Sequence, residues 1–219
     1  FSKNNKLTLK ERKGSPEIAV LIAARDESAV IEGLLKSLQN QTVEVKPEDI
    51  YVIVEAVDDP TIDICKKYGN AVVLRKDLSK QRKGYALDEA VKAIRKTKRH
   101  YDLYFVFDAD NLLAEDFVEK MLESYRAGYE IATGYRYPKN GNENVVTAVS
   151  ALTFSMINAL GNRARAKEQA NIVFSGTGFF VTGDLVEEWQ GWPFHSLTED
   201  YEMSLYATLH GLATTYNEE

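Results

Sequence analysis

Tyr104-Phe105-Val106-Phe107-Asp108-Ala109-Asp110 is the stretch of this sequence that decides the fold. Its apolar and aromatic residues favour a strand, and they lead directly into two carboxylates that stand one residue apart. A buried parallel strand has such an apolar run, and open α/β sheets bind ligands at the carboxyl ends of these strands. Two aspartates there suit Mg²⁺ or Mn²⁺, which prefer carboxylate oxygens and share them with phosphates. The alternative is a turn in which the aspartates and Asn111 only stop the strand and cap the next helix.

Strands and helices alternate on both sides of this run, which indicates βαβ units and a mainly parallel sheet. Apolar runs predict strands at residues 18–23, 51–54, 71–74, 103–107 and 131–135. After about residue 140 the pattern changes to long helical segments with one short strand near Phe179–Val181. The apolar stretch Val145–Leu160 predicts a buried helix or one that lies at a membrane surface. We therefore expect one α/β domain with a mixed, mainly parallel central sheet flanked by helices.

The domain boundaries follow from this pattern. Residues 1–15 are polar and are expected to form an N-terminal arm, followed by a domain of residues 16–219. Residues 16–140 are expected to form the half of the domain that binds a nucleotide. Residues 141–219 are expected to form the half that binds the second reactant, which we call the acceptor side. The chain starts at Phe1 and stops at Glu219 without a helix cap, so it reads like a soluble piece of a longer protein.

Composition narrows the class of protein. The chain has 219 residues, of which 44% are hydrophobic and 27% charged, so it can bury a substantial core without disulfides. Because Cys65 is the single cysteine, it cannot form an internal disulfide, which favours a reducing compartment. Cys65 is expected to be a buried residue on a helix. A net charge of −6 argues against nucleic acid as the main partner. The chain does not begin with a signal peptide, and it contains no run of 18 or more apolar residues, the length that a membrane-spanning helix needs.

Charged residues also follow the first two predicted strands. Arg25-Asp26-Glu27 follows the first strand, and Asp58-Asp59 follows the second. Because the carboxyl ends of parallel strands meet at one edge of a sheet, these acids can hydrogen-bond a base or ribose, or hold a metal, beside Asp108 and Asp110. The alternative is that each acid caps a helix, since Asp58-Asp59-Pro60-Thr61 is also a good helix start.

Three further segments carry candidate site residues. Lys83 stands just before a run of apolar residues at helical spacing. A cation at a helix N-terminus suits an anion, and the alternative is that Lys83 is a solvent-facing charge. Ser175-Gly176-Thr177-Gly178 precedes a strand, and its glycines allow the backbone to approach a ligand closely. Thr198-Glu199-Asp200 opens a helix and could simply cap it. Trp192 could offer a sugar-binding platform or belong to the core.

In this order the segments resemble the family 2 glycosyltransferases, which have the GT-A fold. The matching stretches are Val20–Glu27, Asp58-Asp59, Lys83–Leu87, Asp108-Ala109-Asp110, Ser175–Gly178 and Thr198-Glu199-Asp200. The resemblance implies that Asp110 ligates Mn²⁺ or Mg²⁺ on the diphosphate of a UDP-sugar and that Asp200 is the general base. It implies donor contacts by Ala24, Arg25, Glu27, Asp58, Lys83, Asp108 and Ala109. Gly176, Thr177, Gly178, Trp192 and Glu199 are expected on the acceptor side of the site.

The resemblance also implies an activity. We expect metal-dependent, inverting transfer from a UDP-sugar, with UDP-glucose and UDP-N-acetylglucosamine as first choices, to a hydroxyl of a saccharide or lipid-linked acceptor. The relatives carry membrane helices around such a domain, which implies a place at the cytoplasmic face of the cell membrane through segments missing here. The chain stops before the Gln-x-x-Arg-Trp motif of the processive members, so processivity is open.

Two alternatives remain at this point. A sugar nucleotidyltransferase uses a related sheet, but it usually has a Gly-rich loop with Arg and Lys after the first strand, where this chain has Ala23–Ser28. The second alternative is a non-catalytic domain that binds a nucleotide-sugar and regulates assembly. Such a domain is expected to have lost its acids, and they are present here.

Overall fold

The computed structural model describes residues 9–135, 156, 161–168 and 170–218. Its strands are β1 (Ile18–Ala23), β2 (Ile50–Val54), β3 (Ala71–Leu74), β4 (Leu103–Asp108), β5 (Ile131–Gly134), β6 (Phe179–Thr182) and β7 (Thr214–Asn217). Its helices are α1 (Ile31–Gln39), α2 (Thr61–Tyr68), α3 (Lys83–Lys96), α4 (Phe117–Arg126), α5 (Arg163–Lys167), α6 (Gly183–Trp189) and α7 (Glu199–His210). Apart from Met156, the predicted helix at 145–160 lies outside the described residues.

The strands form one seven-stranded sheet in the order β3-β2-β1-β4-β6-β5-β7. The pairings β2–β3, β1–β2, β1–β4 and β5–β7 are parallel, whereas β6 is antiparallel to both of its neighbours. The mixed, mainly parallel sheet expected from the sequence is thus confirmed.

One strand was not predicted. The sequence pattern indicated a single short strand after residue 140, but β7 follows α7 and pairs with β5 in parallel, with Ile131 beside Thr214. Thr214–Asn217 contains no apolar run of the kind that marks the other strands, so the sequence pattern does not indicate it. The prediction of one strand in this half was therefore wrong.

The core consists of two apolar layers, one on each face of the sheet. Along β4, Tyr104 and Val106 face the layer with α3, α6 and α7, whereas Phe105 and Phe107 face the layer with α1, α2 and α4. Because both faces are covered, the strand is an unbroken apolar run rather than an alternating one. Cys65 lies fully buried on α2, as predicted. Within the described ranges, no helix is long and apolar enough to cross a bilayer.

Close backbone packing fixes the start of α3. A β-carbon added to Gly84 would lie 1.9 Å from the carbonyl oxygen of Phe194, so only glycine allows the helix to approach this segment. Arg82 donates a hydrogen bond of 3.1 Å to the carbonyl oxygen of His195, and the ring of His195 stacks on Tyr85. These contacts fix the first turn of α3 against the chain segment that leads into α7.

Candidate functional site

The register of the parallel strands brings their carboxyl ends together. Ala23 at the end of β1 pairs with Ile53 of β2 on one side and with Asp108 of β4 on the other. Val54 at the end of β2 pairs in turn with Leu74 of β3. The loops that follow these strands therefore start along one rim of the sheet, as the sequence predicted.

A cavity of about 200 Å³ opens at this rim. Four of the predicted site residues line it, namely Ala24, Arg25, Glu27 and Lys83. The other lining residues are Ala23, Ile53, Glu55, Arg75, Gln81, Arg82 and Ala86. Its cationic and acidic side chains suit a ligand that carries both phosphates and hydrogen-bonding groups. We refer to this cavity as the rim pocket.

A larger depression of about 600 Å³ lies at the C-terminal end of α3. It is lined by Lys92, Arg95, Lys96, Lys98, Arg99, His100, Glu187 and Gln190. None of the predicted site residues lines it, and its arginines Arg95 and Arg99 already form ion pairs with Glu187 and Asp49. The smaller rim pocket is therefore the candidate functional site.

Lys83 connects the rim pocket with the end of β4. Its ammonium group forms an ion pair with the carboxylate of Asp108 and donates a hydrogen bond of 2.6 Å to the carbonyl oxygen of Gly176. Lys83 is also the first residue of α3, whose N-cap residue Arg82 makes no side-chain cap hydrogen bond. A cation at an uncapped helix N-terminus is a favourable place for an anionic ligand group.

Thr177 holds the glycine turn against β4. Its hydroxyl oxygen accepts a hydrogen bond of 2.7 Å from the backbone N–H of Asp108, and the hydroxyl donates to Asn111 Oδ1 at 2.6 Å. Gly176 and Gly178 have φ angles of +73° and +67°, which few other residues adopt. The Thr177 side chain is buried and used inside the protein, so the predicted acceptor-side role of this turn rests on the backbone of its glycines.

Asp200 lies on the other side of the same turn. A β-carbon added to Gly176 would lie 3.6 Å from Asp200 Oδ2. The hydroxyl of Ser204 donates to the carbonyl oxygen of Asp200 at 2.7 Å and accepts the N–H of Phe174 at 2.9 Å, which joins the start of α7 to the segment before Gly176. The structure thus brings Asp200, Gly176, Lys83 and Asp108 together.

Glu199 belongs to the same cluster. Burial raises the pKa of its carboxyl group, the nearby carboxylates of Asp200 and Asp108 raise it further, and the ammonium group of Lys83 opposes them. Thr198 makes no side-chain cap hydrogen bond to α7. The structure therefore excludes capping by Thr198, whereas Glu199 and Asp200 do lie in the first turn of α7, where acids stabilise a helix, as the alternative also held.

Asp110 is exposed beyond the end of β4, with the side-chain amide of Asn111 3.3 Å from its Oδ1. Within the part of the chain that the structure describes, no three His, Cys, Asp or Glu side chains form a ready-made metal cluster. Mg²⁺ and Mn²⁺ sites that act on phosphates commonly use one or two carboxylates, with phosphate and water oxygens completing the shell. One exposed carboxylate, two residues after Asp108, fits such a site.

Asp58 and Asp59 have different surroundings. Asp59 is buried, and its carboxylate accepts the N–H groups of Thr61 at 2.8 Å and Asp26 at 3.1 Å. Burial works against the charge of Asp59, but these hydrogen bonds outweigh it and lower its pKa. Asp59 thus caps the turn before α2. For Asp59, this agrees with the alternative that the acids after β2 serve to start a helix. Asp58 is exposed after β2 and is not among the residues that line the rim pocket.

Two predicted contact residues lie in the core. Trp192 is only 2% exposed and packs against Trp189, Phe194 and Phe179, because the aromatic side chains around α6 bury one another. Its ring is therefore not a surface for a sugar, and this corrects the expectation of an acceptor platform. The methyl group of Ala109 is likewise buried in the core, so only the backbone of Ala109 is left for a ligand.

Glu55 and Asn111 are among the site residues that the sequence analysis missed. Glu55 lines the rim pocket directly after β2, and Asn111 joins Thr177 to the backbone of Asp108. For Glu55 the available signal was its position, since it is the first residue after a parallel strand. Nothing in the sequence marks Asn111 apart from the neighbouring Asp110.

Sequence comparison finds similarity to a curated glycosyltransferase. The chain is 25% identical over 225 residues to the probable glycosyltransferase YdaM of Bacillus subtilis (strain 168), an alignment that covers 94% of this chain and 50% of that protein. The chain thus spans about half the length of the curated relative it matches.

Solved structures show the same fold at low sequence identity. The mannosyltransferase PcManGT from Pyrobaculum calidifontis, solved with GDP-Man and Mn²⁺, superposes with a TM-score of 0.69 at 16% identity over 97% of this chain and 59% of that chain. Glucosyl-3-phosphoglycerate synthase from Mycobacterium tuberculosis, solved with Mn²⁺, UDP and glucosyl-3-phosphoglycerate, has a TM-score of 0.60 at 17% identity over 93% of this chain and 70% of that chain. S. aureus TarS has a TM-score of 0.62 at 16% identity, over 93% and 58% of the two chains.

A family model decides the classification. The model described as "Glycosyltransferase like family 2" matches residues 16–219, which is nearly the whole chain. With its rim pocket, acidic loops and GT-A fold, this chain belongs to the family 2 glycosyltransferases.

Proposed function

We propose that this domain transfers a sugar from a UDP-sugar to a hydroxyl group, with a divalent metal ion and inversion at the anomeric carbon. The observation that carries the proposal is the position of Lys83, which lines the rim pocket and also contacts Asp108 and the carbonyl oxygen of Gly176. One cation thus lies between the pocket for a nucleotide and the turn beside Asp200. A sugar diphosphate has its negative charge at that place, between its base and its sugar.

The rim pocket is the proposed site of the nucleoside. Arg25 and Glu27 lie on the loop after β1, and Glu55 lies directly after β2. Such groups at the carboxyl ends of parallel strands can hydrogen-bond a base and a ribose. Asp58, exposed on the loop after β2, is proposed to reach the nucleoside from outside the pocket.

The diphosphate is proposed to lie over the N-terminus of α3. Lys83 there offsets its charge, and Asp110 would hold the Mn²⁺ or Mg²⁺. A bound divalent cation supplies neutralisation of the charge that develops on the departing diphosphate. The structures of PcManGT and glucosyl-3-phosphoglycerate synthase contain Mn²⁺ with a nucleotide, which supports this proposal.

Asp200 is proposed to act as the general base. It takes the proton of the acceptor hydroxyl while the hydroxyl oxygen bonds to the anomeric carbon. The bond from that carbon to the diphosphate oxygen breaks, and UDP leaves with the electron pair. Attack from the face opposite the leaving group turns an α-linked donor into a β-linked product. Gly176 has no β-carbon, which would otherwise lie 3.6 Å from Asp200 Oδ2, and we propose that the acceptor approaches Asp200 there.

The proposal extends to the acceptor and the place of action. Saccharide and lipid-linked acceptors are both proposed, since each offers a hydroxyl group to Asp200. We also propose that the whole protein acts at the cytoplasmic face of the cell membrane, through segments outside this chain.

A panel of nucleotide-sugars tests the proposed function. Thermal unfolding would be measured with UDP, UDP-glucose, UDP-N-acetylglucosamine and GDP-mannose, each in Mn²⁺ and in EDTA. Release of UDP would then be assayed with candidate acceptors. We expect UDP compounds to raise the unfolding temperature only with Mn²⁺, because binding to the folded state stabilises it. A rise with GDP-mannose alone would reject the choice of uridine, and no rise with any nucleotide would reject the donor site.

A further inference from the structure

We propose that Arg75 is a positioning residue that holds residues 76–82 over the rim pocket and so sets the affinity for the donor. This inference rests on the proposed function for its effect on binding, while its structural part can be tested without any ligand. Residues 76–82 connect β3 to α3, and two residues of the segment, Gln81 and Arg82, line the rim pocket just before Lys83. We refer to residues 76–82 as the pocket loop.

The guanidinium group of Arg75 is buried beneath the pocket loop, and its side chain is only 2% exposed. It donates to the backbone carbonyl oxygens of two loop residues, Asp77 at 3.0 Å and Lys80. Carbonyl groups at both ends of the turn are therefore held by one side chain. A planar, permanently charged group with several fixed donors suits this task, and lysine cannot reproduce it.

Two acidic residues hold Arg75 in turn. Its Nη1 donates to Glu55 at 3.0 Å, and its Nε and Nη2 donate to Glu89 Oε1 of α3 at 3.3 and 3.2 Å. The other oxygen of Glu89 accepts the backbone N–H of Lys76 at 2.6 Å, so Glu89 also contacts the loop directly. A buried charge needs such partners, and removal of one of them leaves the others unpaired.

These contacts separate Arg75 from the residues that would touch a donor. All three nitrogens of its guanidinium group already donate within the protein, although Arg75 lines the pocket. Glu55 contacts a second arginine as well, because its Oε2 lies 3.4 Å from Nε of the exposed Arg25 on the loop after β1. Arg75 thus acts through the pocket loop and through Glu55, which both contribute to the lining of the pocket.

The test combines hydrogen exchange with nucleotide binding. Amide exchange of residues 76–82 would be measured without ligand in the wild type and in Arg75→Lys, Arg75→Met and Glu89→Gln. UDP affinity with Mn²⁺ would be measured on the same proteins by calorimetry, and KM and kcat by UDP release. Lys96→Met, which removes a cation remote from the rim pocket, is the control for charge.

We expect exchange of the pocket loop to rise at least about tenfold in both Arg75 variants, with the amides of β1 and β4 unchanged. UDP affinity should fall by about tenfold and KM for the donor should rise, while kcat changes little, because a misplaced loop weakens binding without altering the reacting groups. Glu89→Gln should give a smaller change in the same direction.

Unchanged exchange of the loop in Arg75→Lys and Glu89→Gln would overturn the inference, whatever happens to binding. A loss of kcat with unchanged KM would also contradict it, because that result indicates a role in the chemical step. If Arg75→Met does not fold, Arg75→Lys and Glu89→Gln still decide the question. Failure of the wild type to bind UDP would reject the proposed donor but would leave the exchange result valid.

Discussion

The ammonium group of Lys83 donates a hydrogen bond of 2.6 Å to the carbonyl oxygen of Gly176, a residue 93 positions further along the chain. This contact joins the N-terminus of α3 to the turn that precedes β6, across the carboxyl end of β4. Because Asp108 pairs with the same ammonium group, the two halves of the domain meet at one cation. The proposed reaction needs such a meeting point between donor and acceptor.

Replacement of Lys83 tests this role. We expect Lys83→Met to weaken UDP binding in the presence of Mn²⁺ by about 2 kcal/mol, or roughly thirtyfold, because a charge-assisted hydrogen bond to the diphosphate is lost. Calorimetry measures the affinity, and Lys96→Met serves as the control with the same change of charge. Equal affinity in wild type and Lys83→Met would remove Lys83 from the donor site.

Asp110 is predicted to hold the metal ion. We expect Asp110→Ala to abolish the increase in UDP affinity that Mn²⁺ produces, because the variant lacks the carboxylate that is proposed to ligate the ion. Titration of UDP with and without Mn²⁺ measures the effect. Glu115→Gln, which changes an exposed acid nearby, should keep the dependence on Mn²⁺. An unchanged metal effect in Asp110→Ala would disprove the assignment.

Asp200 should separate binding from transfer. Asp200→Asn is expected to bind UDP as the wild type does and to lose about 10²–10⁴-fold in the rate of transfer, because the amide cannot accept the proton of the acceptor. Release of UDP with donor and acceptor measures the rate. The exposed acid Glu188 provides the control Glu188→Gln. A transfer rate close to that of the wild type would show that another group is the base.

Glu199 predicts a dependence of stability on pH. Burial and the neighbouring carboxylates of Asp200 and Asp108 raise its pKa in the folded protein. The folded state therefore holds the proton to a higher pH than the unfolded state, and stability falls as the pH rises above the unfolded pKa of about 4.3. We expect Glu199→Gln to be more stable than the wild type at pH 7, with a smaller difference at pH 4, by denaturant unfolding. A difference that grows toward pH 4 would contradict the shift.

Gly84 tests the packing that positions Lys83. A β-carbon there would lie 1.9 Å from the carbonyl oxygen of Phe194, so we expect Gly84→Ala to destabilise the protein by about 2 kcal/mol or more. Gly161→Ala is the matched control, because within the described residues, its own chain neighbours aside, no atom lies within 4 Å of its added β-carbon. Denaturant unfolding of both variants measures the difference. Equal stability of the two would show that α3 can move away from Phe194 without cost.

Some assignments needed the structure because one residue type serves two purposes. Asp58 and Asp59 are neighbours of the same type, yet Asp59 is buried as a cap before α2 whereas Asp58 is exposed. Trp192 had two possible places, and packing with Trp189 and Phe194 decided for the core. Local sequence cannot distinguish these cases, because burial depends on neighbours that are distant along the chain.

The sequence by itself determined the alternation of strands and helices and the rim where the charged loops lie. That information is local, because apolar runs and helical spacing show which residues are buried when the chain folds. Parallel strands then have their carboxyl ends at one edge of the sheet, which defines the rim. Only the tertiary structure decided that Lys83 meets Gly176, that Arg75 is buried between Glu55 and Glu89, and that β7 joins the sheet. These contacts join residues through backbone carbonyls and buried charges, whose partners are set by how the elements pack rather than by the residues beside them.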